Sequence, residues 1–389
     1  MRHYAVEDEV RLALGRDLQD WRQAGLLTAE EETDLRADVA TDLRRAGIML
    51  RLGLAAFTVL AGAAAVGLVF LMTDMRSEVA VSITAALLGA AAFGAATAFV
   101  NRFRLYRYGV EEALALGAVA LWGFAAGLLA AETFKANSGG DAWFFAMTAV
   151  ATGSAVAYRR FGFQYAAVGA LYAVALLPMA SSSVDVEFKR LFAALVCAAA
   201  YVYASGVRRR ADNDVARSDA ETLRAAAAAG AYLALNSVIL VEPFGLHVDD
   251  WYRWTSWVVT WLLPFLVGRA AVTDRDPLLL RVALALGLAS LLTNKTYLGW
   301  PRQPWDPMLL GIMLVGAALV LRRWLSSGEG GERHGFTARQ LVHSEAATIQ
   351  LASLASVAVQ PAPARPVQAP EDPTFSGGRS GGAGAGSEF

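Results

Sequence analysis

The chain has 389 residues and a formal net charge of −1, with 56% hydrophobic and only 18% charged residues and a mean hydropathy of +0.40. Its apolar residues are gathered into long runs, which places it among helical membrane proteins that cross the bilayer repeatedly. A near-neutral balance with arginines spread through short loops excludes a nucleic-acid partner, and the single cysteine, Cys197, excludes an intrachain disulfide or a cysteine metal cluster.

Residues 1–46 are polar and charged, so no secretory signal peptide is expected there. Val6, Val10, Leu14, Leu18 and Trp21 make one apolar stripe, and Gly25 is placed as a C-cap. "TAEE" (Thr28 to Glu31) reads as a capping box opening a second helix striped by Leu35, Val39 and Leu43. Two such helices bury little alone, so this cytoplasmic helical hairpin is expected to pack on the membrane, on the inner loops or on a protein partner.

Residues 47–325 contain ten apolar runs of the roughly 17–25 residues that a hydrocarbon core about 30 Å thick requires. They are Ile48–Met72, Val79–Val100, Ala113–Phe134, Ala142–Tyr158, Phe163–Ala180, Phe188–Val207, Leu223–Val241, Tyr252–Ala271, Pro277–Thr293 and Pro307–Leu325. The expected fold is therefore an all-α polytopic bundle of about ten transmembrane helices, with short joints such as "NSGGD" and "TDRDP" making consecutive helices antiparallel neighbours.

Alternate joints differ in charge. One side carries fifteen basic residues, among them Arg44, Arg102, Arg159, Arg208 and Arg275, against seven on the other: Arg76, Lys135, Lys189, Arg190, Arg253, Lys295 and Arg302. The positive-inside rule then puts both termini in the cytoplasm and the bundle in the bacterial inner membrane. Residues 326–389 are rich in Gly, Pro, Ser and Ala and read as a largely disordered cytoplasmic tail.

Ionisable residues are scarce in the middles of the runs. Glu132, Glu242 and Lys295 sit at outer ends, and Arg51, Arg224 and Arg281 at inner ends, where long side chains can snorkel to the interface. The deepest polar group is Asn236, beside Ser237, placed either to bind a solute or to hydrogen-bond between helices. "WYRWTSWVVTWLLPF" sets Trp251, Trp254, Trp257 and Trp261 on one helical face; the deeper Trp257 and Trp261, ahead of the helix-disturbing Pro264, are expected to face the interior, lining a cavity or packing.

Gly123 and Gly127 spell a close-packing GxxxG, and Pro178 adds a second possible kink. His3, His247, His334 and His343 are scattered without metal-ligand spacing, and no phosphate loop or nucleophile elbow is present, so no catalytic, cofactor or metal residue is expected. An outer loop places Glu242, Asp249 and Asp250 around His247, as a cation site or as a solvated acidic loop.

At "WRQAGLLTAEEETDL" (Trp21 to Leu35) the chain resembles a bacterial predicted-membrane-protein family called domain of unknown function 2157, in which such a hairpin precedes many closely spaced transmembrane helices. The matching residues are Gly25, Leu26, Leu27, Thr28, Glu30 and Glu31. The resemblance implies a multi-span bundle and brings no activity, cofactor or catalytic residue with it.

Two functions are in view. The first is a carrier for a small neutral or apolar solute, built from two five-helix halves of opposite orientation. The second is a non-catalytic membrane anchor, scaffold or sensor working through hairpin and tail. The sequence implies no cofactor and no partner beyond lipid and a protein at the hairpin, and leaves oligomeric state open.

Overall fold

The structure is a computed structural model, and it describes residues 4, 6–23, 25–44, 46–72, 77–134, 139–181, 183–240, 248–301, 303–328, 332–333 and 336–337. The described chain is helical apart from a short antiparallel pair, β1 (Glu332–Arg333) and β2 (Phe336–Thr337). Most of the tail, from 338 onward, lies outside the described residues, as do His3, Glu242, His247, His334 and His343.

The hairpin is α1 (Val6–Gln23) and α2 (Ala29–Asp38). Gly25 takes φ +74°, a left-handed turn that a residue with a Cβ resists. Thr28 Oγ1 accepts the Glu31 amide at 3.3 Å while Glu31 Oε2 accepts the Thr28 amide at 2.8 Å, closing the capping box. Leu26 is exposed and Leu27 half-buried beside it.

Each apolar run is occupied by a helix: α3 (Ile48–Met72), α4 (Glu78–Phe103), α5 (Val110–Phe134), α6 (Gly139–Phe161), α7 (Gln164–Ala175), α8 (Val186–Arg210), α9 (Asp214–Leu235), α11 (Asp250–Asp274), α12 (Pro277–Tyr297) and α13 (Asp306–Ser326), with the four-residue α10 (Ser237–Leu240) after α9. Among the described residues only seven, α3, α4, α5, α8, α11, α12 and α13, contain a stretch long and apolar enough to cross a membrane. The other three fall short for local reasons. α6 is diluted by Asp141, Thr148, Thr152, Arg159 and Arg160. α7 gives way to a 3-10 turn, Leu177–Ala180, at Pro178, and α9 opens with Asp214, Arg217, Asp219, Glu221 and Arg224.

α9 is the centre of the second half, packing on α7, α8, α11 and α12. Its alanines explain why: Ala227, Ala228 and Ala231 are buried, and a Cβ added at Gly230 would lie 2.7 Å from Tyr172 and 2.8 Å from Cys197. Small residues let neighbouring backbones approach, which is how helices gain dispersion contacts where lipid supplies no hydrophobic drive. The same device joins α5 to α6, where a Cβ on Gly123 would meet Val150 at 2.5 Å. Consecutive helices are not always the closest neighbours, since α3 packs chiefly on α5, and neither α3 nor α13 buries any residue along its apolar stretch.

The hairpin docks on the end of the bundle that carries the α4–α5 loop. Tyr4 and Leu43 enter a cluster with Val100, Tyr106, Phe161 and Phe163, and the Tyr4 hydroxyl donates to the Leu105 carbonyl at 2.5 Å. The linker zips onto the α4–α5 loop through backbone bonds, Arg44 N to Arg104 O and Tyr106 N to Arg44 O, both 2.9 Å. Arg104, at φ 53°, clamps Asp42 through Nε at 2.9 Å and Nη2 at 2.8 Å, and reaches Asp8 at 3.2 Å. The expected stripe on α1 is only partly covered: Leu18 is buried, whereas Leu14 and Trp21 remain exposed, as does Leu35 on α2.

Candidate functional site

One polar part of the bundle interior surrounds a break in a helix. α9 ends at Asn236, whose backbone turns extended (φ −72°, ψ 104°) before α10 resumes. A helix end inside a bundle leaves carbonyls without amide partners, and these must be satisfied locally. Arg190, near the start of α8 and 4% exposed, does this: Nε donates to Ala234 O at 2.8 Å, and Nη2 to Asn236 O at 2.6 Å and Leu233 O at 3.3 Å. The Tyr252 hydroxyl donates to Ala234 O as well, at 3.1 Å.

Asn236 serves the break on its other side. Its Oδ1 accepts the amides of Val238 and Ile239, both at 3.1 Å, starting α10, while Nδ2 donates to the Tyr232 hydroxyl at 3.1 Å and to Thr293 Oγ1 at 3.3 Å. Ser237 N donates to the Tyr297 hydroxyl at 2.7 Å. Asn236 thereby hydrogen-bonds across to α12.

From Tyr232 the chain of bonds continues to Ser290 Oγ at 3.0 Å, and Ser290 Oγ donates to Thr260 O at 2.7 Å. Thr260 precedes Pro264 by four residues, so its carbonyl is the one that the missing proline N–H leaves free. A serine on α12 thus supplies what Pro264 removes from α11.

The tryptophan face lies beside the most buried stripe of its helix. The buried stripe of α11 is Tyr252, Ser256, Thr260 and Pro264; Trp251 and Trp254 are half exposed, and Trp257 and Trp261 flank the stripe half-buried. Both inner indoles donate to one acceptor, Asn294 Oδ1, at 2.9 Å from Trp257 and 3.3 Å from Trp261. Ser256, Thr260 and Pro264 are small enough for α12 to pack closely on this stripe, which leaves the indoles at its edge.

Next to Arg190, α7, α8 and α9 enclose a cavity of about 420 Å³. Tyr172, Ala193, Cys197 and Gly230 form its floor, and Leu176, Met179 and Leu233, each more than a third exposed, stand at its mouth. Its surface is almost wholly apolar, and its size falls within the ~300–1,000 Å³ of ordinary ligand pockets. A groove of about 460 Å³ between α5 and α6, along Gly123, Gly127 and Ala146, is more open and has no charged lining residue.

Two of the three arginines expected to snorkel, Arg51 and Arg224, are paired instead. Arg51 binds Glu112 through Nε at 2.7 Å and Nη2 at 2.5 Å. Arg224, 3% exposed, contacts Asp274 at 2.5 Å and the Tyr201 hydroxyl at 3.0 Å, with its guanidinium over the Tyr201 ring. Buried charge is tolerable only when so compensated. Arg281 and Glu132 do remain exposed. In the docked hairpin, burial pushes the Tyr4 phenol above its usual range, and the Arg104 hydrogen bonds hold the Asp42 carboxyl below the usual carboxylate range.

No protein-family model matches this chain, and no curated protein does. Among the described residues no three His, Cys, Asp or Glu side chains are grouped as metal ligands. Of the outer acidic loop, Asp249 accepts the Trp251 indole N–H at 3.2 Å, while Glu242 and His247 lie outside the described residues. Sequence reasoning missed Arg190, counted as a loop charge, and the α12 stripe of Ser290, Thr293, Asn294 and Tyr297. The signal existed: offsets of three, four and seven from Ser290 put all four on one helical face.

Proposed function

We propose that this chain is a multi-pass protein of the bacterial inner membrane, crossing the bilayer with ten helices and holding both ends in the cytoplasm, and that it carries a small, largely apolar solute. The observation that carries this reading is the apolar cavity of about 420 Å³ beside the break at Asn236. A discontinuous helix at a cavity is where carriers place their solutes, because the break can repack without dismantling a whole span. On this reading α6, α7 and α9 cross the membrane although they are less apolar, since α9 turns its charged first turns toward partners on other helices. No catalysis and no cofactor belong to the proposal, and the likeness of the Gly25–Glu31 turn to the uncharacterised membrane family is part of it.

A photoreactive diazirine on dodecane, applied to the purified full chain in nanodiscs, tests this. Adducts concentrated on α7 and α8 around Leu176, Met179 and Ala193, and suppressed by Ala193→Phe, are expected. Adducts spread along fully exposed helices such as α3, with none at the cavity, would refute it.

The second reading, an anchor or sensor, is favoured by the docked hairpin, which leaves Leu14, Trp21 and Leu35 on its outer surface. A protein partner covering them would protect the hairpin from protease without changing the cavity.

A further inference from the structure

The Arg190 guanidinium is buried, and what pairs with it among the described residues carries no full negative charge. Among the described residues no carboxylate lies within salt-bridge distance of it. Glu187, one turn earlier on α8, turns its Oε1 to the Asp249 amide at 2.9 Å. What faces Arg190 is neutral: the carbonyls of Leu233, Ala234 and Asn236, and the Tyr252 hydroxyl and ring. These carbonyls are the C-terminal end of α9, which supplies roughly half a negative charge, so about half of the arginine's charge stays uncompensated. Nε and Nη2 are engaged; Nη1 donates to no described residue, and Arg190 is itself one of the residues lining the apolar cavity.

We propose that the cavity's occupant is an amphiphile with a single apolar chain and one carboxylate, the chain lying against Tyr172, Ala193 and Cys197 and the carboxylate on Arg190. This rests on the reading that the cavity holds a solute, and it names the class. A carboxylate fits better than a phosphate because one free guanidinium nitrogen can serve a single charge, whereas a phosphate dianion would bring more acceptors than there are donors. The apolar walls explain why the head group is singular, as a second charged group would find nothing to pair with.

Cys197 is the chain's single cysteine and lines the cavity, so it reports occupancy in the unmodified protein. In nanodiscs, dodecanoate, dodecan-1-ol and dodecyl phosphate are compared as protectants of Cys197 against N-ethylmaleimide. A hydrogen-bonded ion pair contributes enough that dodecanoate should protect at about tenfold lower concentration than the alcohol. That advantage should survive Arg190→Lys and vanish in Arg190→Gln. Should the glutamine variant fail to fold, Ala193→Phe, which leaves the α9 cap intact, must abolish protection by dodecanoate. Equal protection by acid and alcohol overturns the carboxylate assignment and leaves the apolar-solute reading standing; a preference for dodecyl phosphate overturns it in favour of a phosphate-headed lipid. No protection by any of the three overturns both.

Discussion

Replacing Ser290 with alanine isolates the repair at Pro264. The change removes the donor to Thr260 O at 2.7 Å and takes the acceptor 3.0 Å away from the Tyr232 O–H, which keeps the bond it accepts from Asn236, in a site where Ser290 is 2% exposed. An unsatisfied buried polar group costs about 1–3 kcal/mol and interhelical bonds in membranes run toward the low end; two groups, the Thr260 carbonyl and the Tyr232 O–H, each lose a partner, so Ser290→Ala should cost about 2 kcal/mol. Pro264→Ala restores an amide to the Thr260 carbonyl. In that background the same serine substitution should cost only about 1 kcal/mol, a coupling of about 1 kcal/mol between sites on different helices. Unfolding free energies of the four proteins, from detergent titration in mixed micelles, give the cycle directly. If the two substitutions add to within about 0.3 kcal/mol, the serine does not serve the carbonyl that the proline frees and the relay is misread.

Orientation is tested in a Cys197→Ala background: Ser183→Cys should react with an impermeant thiol reagent added to intact cells, and Ser218→Cys should not. The pH dependence of hairpin docking follows from Asp42. Its carboxyl is lowered in the folded state by Arg104, so the contact's contribution is present above the unfolded carboxyl value of about 3.9 and is lost as pH falls through the lower folded value. Protease cleavage within residues 1–46 in inverted vesicles should accordingly rise below about pH 4, and Asp42→Asn should raise cleavage at neutral pH and flatten the acid dependence.

What the sequence made legible was local. The Gly25 turn, the Thr28–Glu31 box and the apolar runs depend on residues a few positions apart, where capping and periodicity act. What it hid was long-range. Tyr4 meets Leu105, and Arg51 meets Glu112, through contacts that no short pattern announces. Arg190 looked like an exposed loop charge because it stands at a span's end, and only the break at Asn236 shows what it caps. The α12 stripe escaped notice because Ser, Thr and Asn cost little in a helix and leave the hydropathy of a run nearly intact. The indoles of α11 flank that interior, which is built from buried tyrosines and small hydroxyl and amide residues.

The bridge between Arg44 and the Arg104–Tyr106 loop also orders events during synthesis. The hairpin leaves the ribosome first, yet its landing surface is encoded about sixty residues later, on the far side of two helices. At translation rates of roughly 5–20 residues per second, the newborn hairpin waits for several seconds with Tyr4 and Leu43 uncovered. During that interval these side chains are open to whatever binds nascent chains. The α4–α5 loop begins to close that interval, and the arrival of Phe161 and Phe163 at the end of α6 completes it.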